Sequence, residues 1–195
     1  MKRLSISPLA IAALCLLLPS LAHAHVGVGS THGFSQGFSH PLMGLDHICA
    51  MIAVGLWAAQ MGGRAIWMVP LTFVGVMALG GLLGMGGISV PYVEQGIVIS
   101  VLMLGVFIAA SARLPLMASV ILVGLFAICH GHAHGAEMPE TASGILYGLG
   151  FILATALLHT CGIGMGILMQ RIAKPQLVQF AGVAIAICGV VLWFS

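Results

Sequence analysis

The chain has 195 residues, of which 61% are hydrophobic and only 5% are charged. A soluble globular domain carries about 25% charged residues. The composition therefore excludes an ordinary soluble domain and indicates an integral membrane protein. The formal net charge is +2 and no basic patch is present, so nucleic acid is not an expected partner.

Residues 1–24 have the pattern of a secretory signal peptide. Lys2 and Arg3 form a basic start, an apolar stretch runs over 9–18, and Ala22-His23-Ala24 is a cleavage site of the small-x-small type. Cleavage would expose His25, whose α-amine and imidazole together can chelate a divalent metal. The alternative is an uncleaved first helix.

Six apolar segments follow, each close to the roughly 20 residues that cross the hydrocarbon core of a bilayer. Their apolar character is continuous rather than alternating, which predicts helices. We therefore predict one all-α transmembrane domain over 25–195, with six transmembrane helices after a cleavable signal peptide. The segments lie at about 40–61, 65–85, 93–112, 115–134, 143–169 and 176–194.

Charged residues between the segments predict the orientation. All the lysines and arginines after the signal lie in alternate connections, which the positive-inside rule assigns to the cytoplasm: Arg64, Arg113, Arg171 and Lys174. The glutamates lie at the opposite ends of the segments. Both mature termini are then expected in the periplasm, with the protein in a bacterial inner membrane, and a homo-oligomer is left open.

The pattern of glycines and cysteines indicates close helix packing rather than a metal site or a disulfide framework. Three glycine pairs at i, i+4 would let helix backbones approach closely, at Gly80 and Gly84, Gly144 and Gly148, and Gly162 and Gly166. The five cysteines lie in apolar runs without CxxC spacing, so we expect neither a disulfide framework nor a zinc ribbon.

The stretch from His40 to Met51 places two histidines and a carboxylate at the start of an apolar run. Burying the charge of Asp46 near a bilayer centre costs about 2.5–3.5 kcal/mol on insertion scales, so a function is expected for it. A helix beginning at Pro41 would place His40 and His47 on one face, with Asp46 about 100° away. The alternative is that His40 caps the helix and Asp46 bonds to a neighbouring helix.

The second cluster has three histidines in five residues: His130, His132 and His134. His130, His134 and Glu137 would share one side of a continuing helix. Two glycines in the cluster would also allow the helix to unwind there. A histidine-rich interfacial loop without a specific ligand is the alternative.

A third element contains His159, which lies roughly 18 Å along the helix from Arg171 and so near mid-membrane. Thr155 lies one turn earlier and could orient its ring. Imidazole and carboxylate ligands suit Ni2+, Co2+, Zn2+, Cu2+ or Fe2+, whereas Mg2+ and Ca2+ prefer all-oxygen sites.

These three elements resemble the signatures of the HupE/UreJ family. The matching motifs are His40-Pro-Leu-Met-Gly-Leu-Asp46-His47, His130-Gly-His-Ala-His134-Gly-Ala-Glu137, and Ala154-Thr155 through His159 to Gly162. The family comprises hydrogenase and urease accessory membrane proteins regarded as nickel or cobalt permeases. The resemblance implies metal handling by His40, Asp46, His47, His130, His134, Glu137 and His159.

We accordingly expect a secondary transporter for Ni2+ or Co2+, with Zn2+ as a further candidate and no permanently bound cofactor. His132 and, after cleavage, His25 are additional candidate ligands. Two rivals remain open: a membrane metalloenzyme with a fixed His/Asp metal site, and a haem-binding membrane protein.

Overall fold

The computed structural model describes residues 32–138, 142–172 and 176–195, and the predicted signal peptide and His25 lie outside these ranges. The described part of the chain is helical and contains no strand. A 3-10 turn, His40–Leu42, separates the first two of its α-helices. These helices are α1 (His32–Ser39), α2 (Leu45–Met61), α3 (Ala65–Met85), α4 (Val93–Ala109), α5 (Leu116–Ala136), α6 (Gly144–Ile172) and α7 (Gln176–Trp193).

Four of these helices, α3, α5, α6 and α7, are long and apolar enough to cross a membrane. Residues 33–42 and α2 together make a fifth candidate span, although the two parts are bent by 78°. Helix α4 is apolar but has only 17 residues. The predicted helical segments are therefore present, and the count of six spans stays a prediction.

The bend before α2 divides the segment predicted at 40–61. Pro41 has no backbone N–H to continue the helical ladder from α1, and Gly44 has an extended backbone with ψ 121°. Helix α2 starts anew at Leu45, where the carboxylate of Asp46 accepts the backbone N–H of His47 at 2.7 Å. His40 therefore lies outside the helix that carries His47, contrary to the single helix predicted from Pro41.

Helix α2 is the centre of the bundle. Most of its residues from Ala50 to Ala59 are buried, and the indole of Trp57 donates to the carbonyl of Ala112 at 2.9 Å. It packs mainly on α6 and also contacts α3 and α4, while α3 pairs with α5, α4 with α7, and α1 with α6. Histidines on α2, α5 and α6 can therefore face one another inside the bundle.

Glycines set how closely the helices approach. A Cβ on Gly131 of α5 would collide with the backbone carbonyl of Met77 on α3. Gly55 and Gly162 bring α2 and α6 together in the same way. Backbone contacts are thus confirmed for the Gly80 and Gly162 pairs, whereas Gly148 has open space beside it because it lines a cavity.

Candidate metal centre

Two groups of three side chains could each hold a metal ion, and His134 belongs to both. The exposed triad consists of His40, His134 and Glu137, and the buried triad consists of His47, His130 and His134. In each triad one ligand atom per residue lies within 4.8 Å of the other two. Nitrogen and oxygen donors this close together can converge on one transition-metal ion.

The exposed triad forms where the 3-10 turn meets the end of α5. Nε2 of His40 lies 3.1 Å from Oε2 of Glu137, and Nδ1 of His134 lies 3.5 Å from the same oxygen. The side chain of Glu137 is 56% exposed and that of His134 only 13%. The triad therefore presents a carboxylate to the surroundings and an imidazole to the interior.

The two histidines also hold Glu137 ionised. The neighbouring His134 and then His40 lower the pKa of the Glu137 carboxyl well below its usual range, and their effect exceeds the opposing effect of its partial burial. The carboxylate is thus a negative charge at neutral and mildly acidic pH. It can attract a divalent cation and then coordinate it.

The buried triad lies deeper in the bundle. His47 and His130 are fully buried, and Nε2 of His134 lies 3.0 Å from Nδ1 of His47. The ring of His47 is T-shaped to both partners, with centroids 4.7 Å from His134 and 5.3 Å from His130. Three imidazoles and no carboxylate make this an all-nitrogen site.

Aromatic rings line both triads. The ring centroid of Phe151 lies 4.9 Å from that of His134 and 5.2 Å from that of His47. The ring centroid of Tyr147 lies 6.0 Å from that of His40. A cavity of about 540 Å³ between α3, α5 and α6 reaches His134 and is lined mostly by apolar side chains. His134 therefore borders a mostly apolar cavity.

His159 lies beyond the buried triad. Its Nδ1 donates to the carbonyl of Met51 at 2.9 Å, and its Nε2 is buried without a hydrogen-bond partner among the described residues. The ring of Phe73 lies between it and His130, with centroid distances of 5.2 Å to His159 and 5.6 Å to His130. One nitrogen of His159 is therefore available as a third, separate donor.

Two hydroxyl groups contact the buried triad, and no sequence pattern links either of them to it. Ser100 on α4 lies 2.8 Å from Nε2 of His130, and no motif marks it. Thr155 lies 3.4 Å from Nε2 of His47, so the prediction that it orients His159 is wrong. Within α6, Thr155 and His159 do share a face, but the packing of α2 brings His47 to the threonine.

Other predicted ligands lie outside both triads. His132 contacts the backbone carbonyl of Ile88 at 2.7 Å through its Nε2, because two residues along a helix is about 200° of rotation from His130. Asp46 is half-buried and uses Oδ1 on the backbone of its own helix. Cys49 and Cys188 have their Sγ atoms 3.6 Å apart without forming a disulfide.

Comparison with known proteins places the chain among its relatives. A family model described as HupE / UreJ protein matches residues 12–192. The curated Protein HupE of Rhizobium leguminosarum bv. viciae is 46% identical over 177 residues, which cover 91% of this chain and 92% of that protein. No solved structure matches the chain significantly.

Proposed function

Because the chain belongs to the HupE/UreJ family, we propose that it is a permease that takes up Ni2+ or Co2+ across the bacterial inner membrane. The ion would supply the maturation of a metalloenzyme such as a hydrogenase or a urease. The observation that carries the proposal is the pair of triads, one exposed and one buried, joined through His134.

Sharing of His134 makes the two triads successive stations for one ion. A neutral imidazole has a proton on one ring nitrogen and a lone pair on the other. His134 faces the exposed triad through Nδ1 and the buried triad through Nε2. As a neutral ligand it therefore serves one triad at a time, and an ion leaves the first as it enters the second.

The ligand sets explain the direction of movement. The carboxylate of Glu137 attracts the hydrated cation and begins to replace its water. The buried triad then offers three imidazoles in a dry environment, where His47 and His130 have no exposed surface. Binding at each station must stay weak enough for release, as conduction through several sites requires. His159 would accept the ion further in.

The donors also favour some ions over others. Imidazole and carboxylate groups suit Ni2+, Co2+ and Zn2+, whereas Mg2+ and Ca2+ prefer sites made of oxygen alone. The ion is cargo, so no permanently bound cofactor is expected. The sequence contains no GxxxxGK[ST] motif for nucleotide binding, which favours a secondary transporter over an ATP-driven pump.

The proposed orientation comes from the charges. The positive-inside rule places Arg64 and Arg113 at the cytoplasmic side, and the signal peptide exports the start of the mature chain. Glu137 and the exposed triad would then face the periplasm. The arginines would lie at the opposite end of the bundle from the triads. The charge at the periplasmic entrance would then come from the carboxylate of Glu137.

Transport by purified protein tests the proposal. Uptake of radiolabelled Ni2+ into proteoliposomes is measured for the wild type, for His47→Ala and for His132→Ala, beside empty liposomes. We expect saturable uptake that is lost in His47→Ala, retained in His132→Ala, competed by Co2+ and unaffected by Mg2+. Uptake no faster than into empty liposomes would contradict a permease that works alone.

The same preparation separates the two rival functions. A metalloenzyme retains stoichiometric metal through purification, and a haem protein shows a Soret band. The HupE/UreJ family is a transport and accessory family, so neither rival is favoured. Metal retained one to one in protein that transports nothing would move the interpretation to the metalloenzyme.

A further inference from the structure

Two buried hydroxyl groups form hydrogen bonds to histidines of the buried triad. Ser100 contacts Nε2 of His130 at 2.8 Å, and Thr155 contacts Nε2 of His47 at 3.4 Å. All four side chains are fully buried. In both pairs the hydroxyl meets the same ring nitrogen.

The proton of Ser100 determines the direction of its contact with His130. Its Oγ donates to the backbone carbonyl of Ile97 at 2.6 Å, and a hydroxyl has only one proton. The Oγ therefore accepts from Nε2–H of His130. A neutral imidazole protonated on Nε2 has its lone pair on Nδ1, and Nδ1 of His130 is buried with no hydrogen-bond partner in the described part of the chain.

Thr155 completes a parallel arrangement at His47. Its Oγ1 donates to the sulfur of Met77 at 3.7 Å and can then accept from Nε2–H of His47. The lone pair of His47 is thereby placed on Nδ1. That nitrogen lies 3.0 Å from Nε2 of His134, the atom through which His134 joins the buried triad.

We propose that Ser100 and Thr155 are positioning residues that fix His130 and His47 as Nε2–H tautomers, so that both present Nδ1 to the transported cation. The inference rests on the proposed function for the identity of the cargo. The tautomers themselves are a property of the metal-free protein.

Partners of this kind matter because a ligand with its proton on the wrong nitrogen cannot bind. If His130 carried its proton on Nδ1, its lone pair would point at Ser100 and the buried triad would have two donors. Loss of a hydrogen-bonding partner behind a metal-binding histidine typically costs about 10–100-fold in metal affinity. We expect a loss in that range from removal of either hydroxyl.

Nitrogen NMR of the metal-free protein tests the tautomers directly. The two ring nitrogens of a neutral imidazole have different 15N shifts according to which one carries the proton. In micelle-solubilised protein labelled with 15N-histidine, His47 and His130 are assigned by their loss in His47→Gln and His130→Gln. We expect Nε2–H for both, with Ser100→Ala changing the tautomer population of His130 and leaving His47 unchanged.

Affinity for Co2+ tests whether the Nε2–H tautomers of His47 and His130 support metal binding. We expect Ser100→Ala and Thr155→Val to weaken Co2+ binding about 10–100-fold in a spectroscopic titration. Thr155→Ser should restore it, because it restores the hydroxyl. Ser119→Ala is the matched control, since Ser119 is equally buried but donates to the carbonyl of Pro115, away from both triads. Thermal melts and gel filtration confirm that each variant is folded.

Four results would overturn part or all of the proposal. His130 found as the Nδ1–H tautomer, or unmoved by Ser100→Ala, would refute the hydroxyl control. Correct tautomers with unchanged Co2+ affinity in Ser100→Ala would refute its purpose. Nε2–H tautomers in a wild-type protein that binds no Co2+ would refute the proposed function and the claim that the histidines present Nδ1 to a transported cation. The NMR result distinguishes this outcome from a failure of the hydroxyl groups to control the tautomers.

Discussion

Replacement of His134 should be the most damaging single change at the candidate metal centre. His134 belongs to both triads. Its Nδ1 lies 3.5 Å from Oε2 of Glu137, and its Nε2 lies 3.0 Å from Nδ1 of His47. Alanine at this position leaves His40 and Glu137 on one side and two imidazoles on the other. Each station then has two donors in place of three.

The expected magnitude follows from the number of ligands lost. Loss of a partner behind a ligand costs up to about 100-fold in affinity, so loss of the ligand itself should cost at least about 100-fold. This is about 2.8 kcal/mol at about 1.4 kcal/mol per tenfold change. Glu137→Gln should cost less, about tenfold, because it affects the exposed triad alone and the side chain is more than half exposed.

Co2+ titration of purified protein and initial uptake rates in proteoliposomes measure these losses. The double variant His134→Ala with Glu137→Gln should lose less than the sum of the single losses by about 0.5 kcal/mol or more, because the two residues contact each other. His132→Ala is the control on the same helix, since its ring contacts Ile88 instead of either triad. An affinity for His134→Ala within threefold of wild type, or an equal loss in the control, would refute the shared-ligand relay.

Three further predictions follow from the same geometry. Any fall in uptake between about pH 7.5 and about pH 5.5 should be the same in the wild type and in Glu137→Gln, because the lowered pKa keeps the carboxylate of Glu137 ionised throughout this range; a pH dependence that is lost in Glu137→Gln would contradict this. Saturation with Co2+, followed by calorimetry, should reach one ion per chain, and a second ion of equal affinity would contradict exclusive use of His134. Gly131→Ala should destabilise the α3 and α5 pair by about 1–3 kcal/mol, seen as a lower melting temperature in detergent, because a Cβ would meet the carbonyl of Met77; Gly148→Ala, which faces open space, should melt like the wild type.

The sequence alone determined the helices and one face of the site. Continuous apolar runs of nearly 20 residues predict membrane helices whatever their partners, because the bilayer demands that backbone groups bond within each segment. The period of the helix predicts His130, His134 and Glu137 on one side, and in the structure His134 shares one triad with His130 and the other with Glu137. These conclusions depend only on neighbours along the chain.

The tertiary structure decided which of the candidates meet. The sequence could not show that His134 joins two triads, that Asp46 bonds to its own backbone, or that Thr155 contacts His47 in place of His159. It gave no sign of Ser100, whose role depends on how α4 is placed beside α5.

The physical reason is that helix rotation is set between helices rather than within them. Close contacts at Gly131 against Met77, and at Gly55 against Gly162, fix how α3 meets α5 and how α2 meets α6. The same contacts keep α5 helical through its two glycines, which turns His132 away from the triads. Spacing along the chain supplied the possible ligands, and the contacts between glycine-bearing helix surfaces decided which of them lie close together.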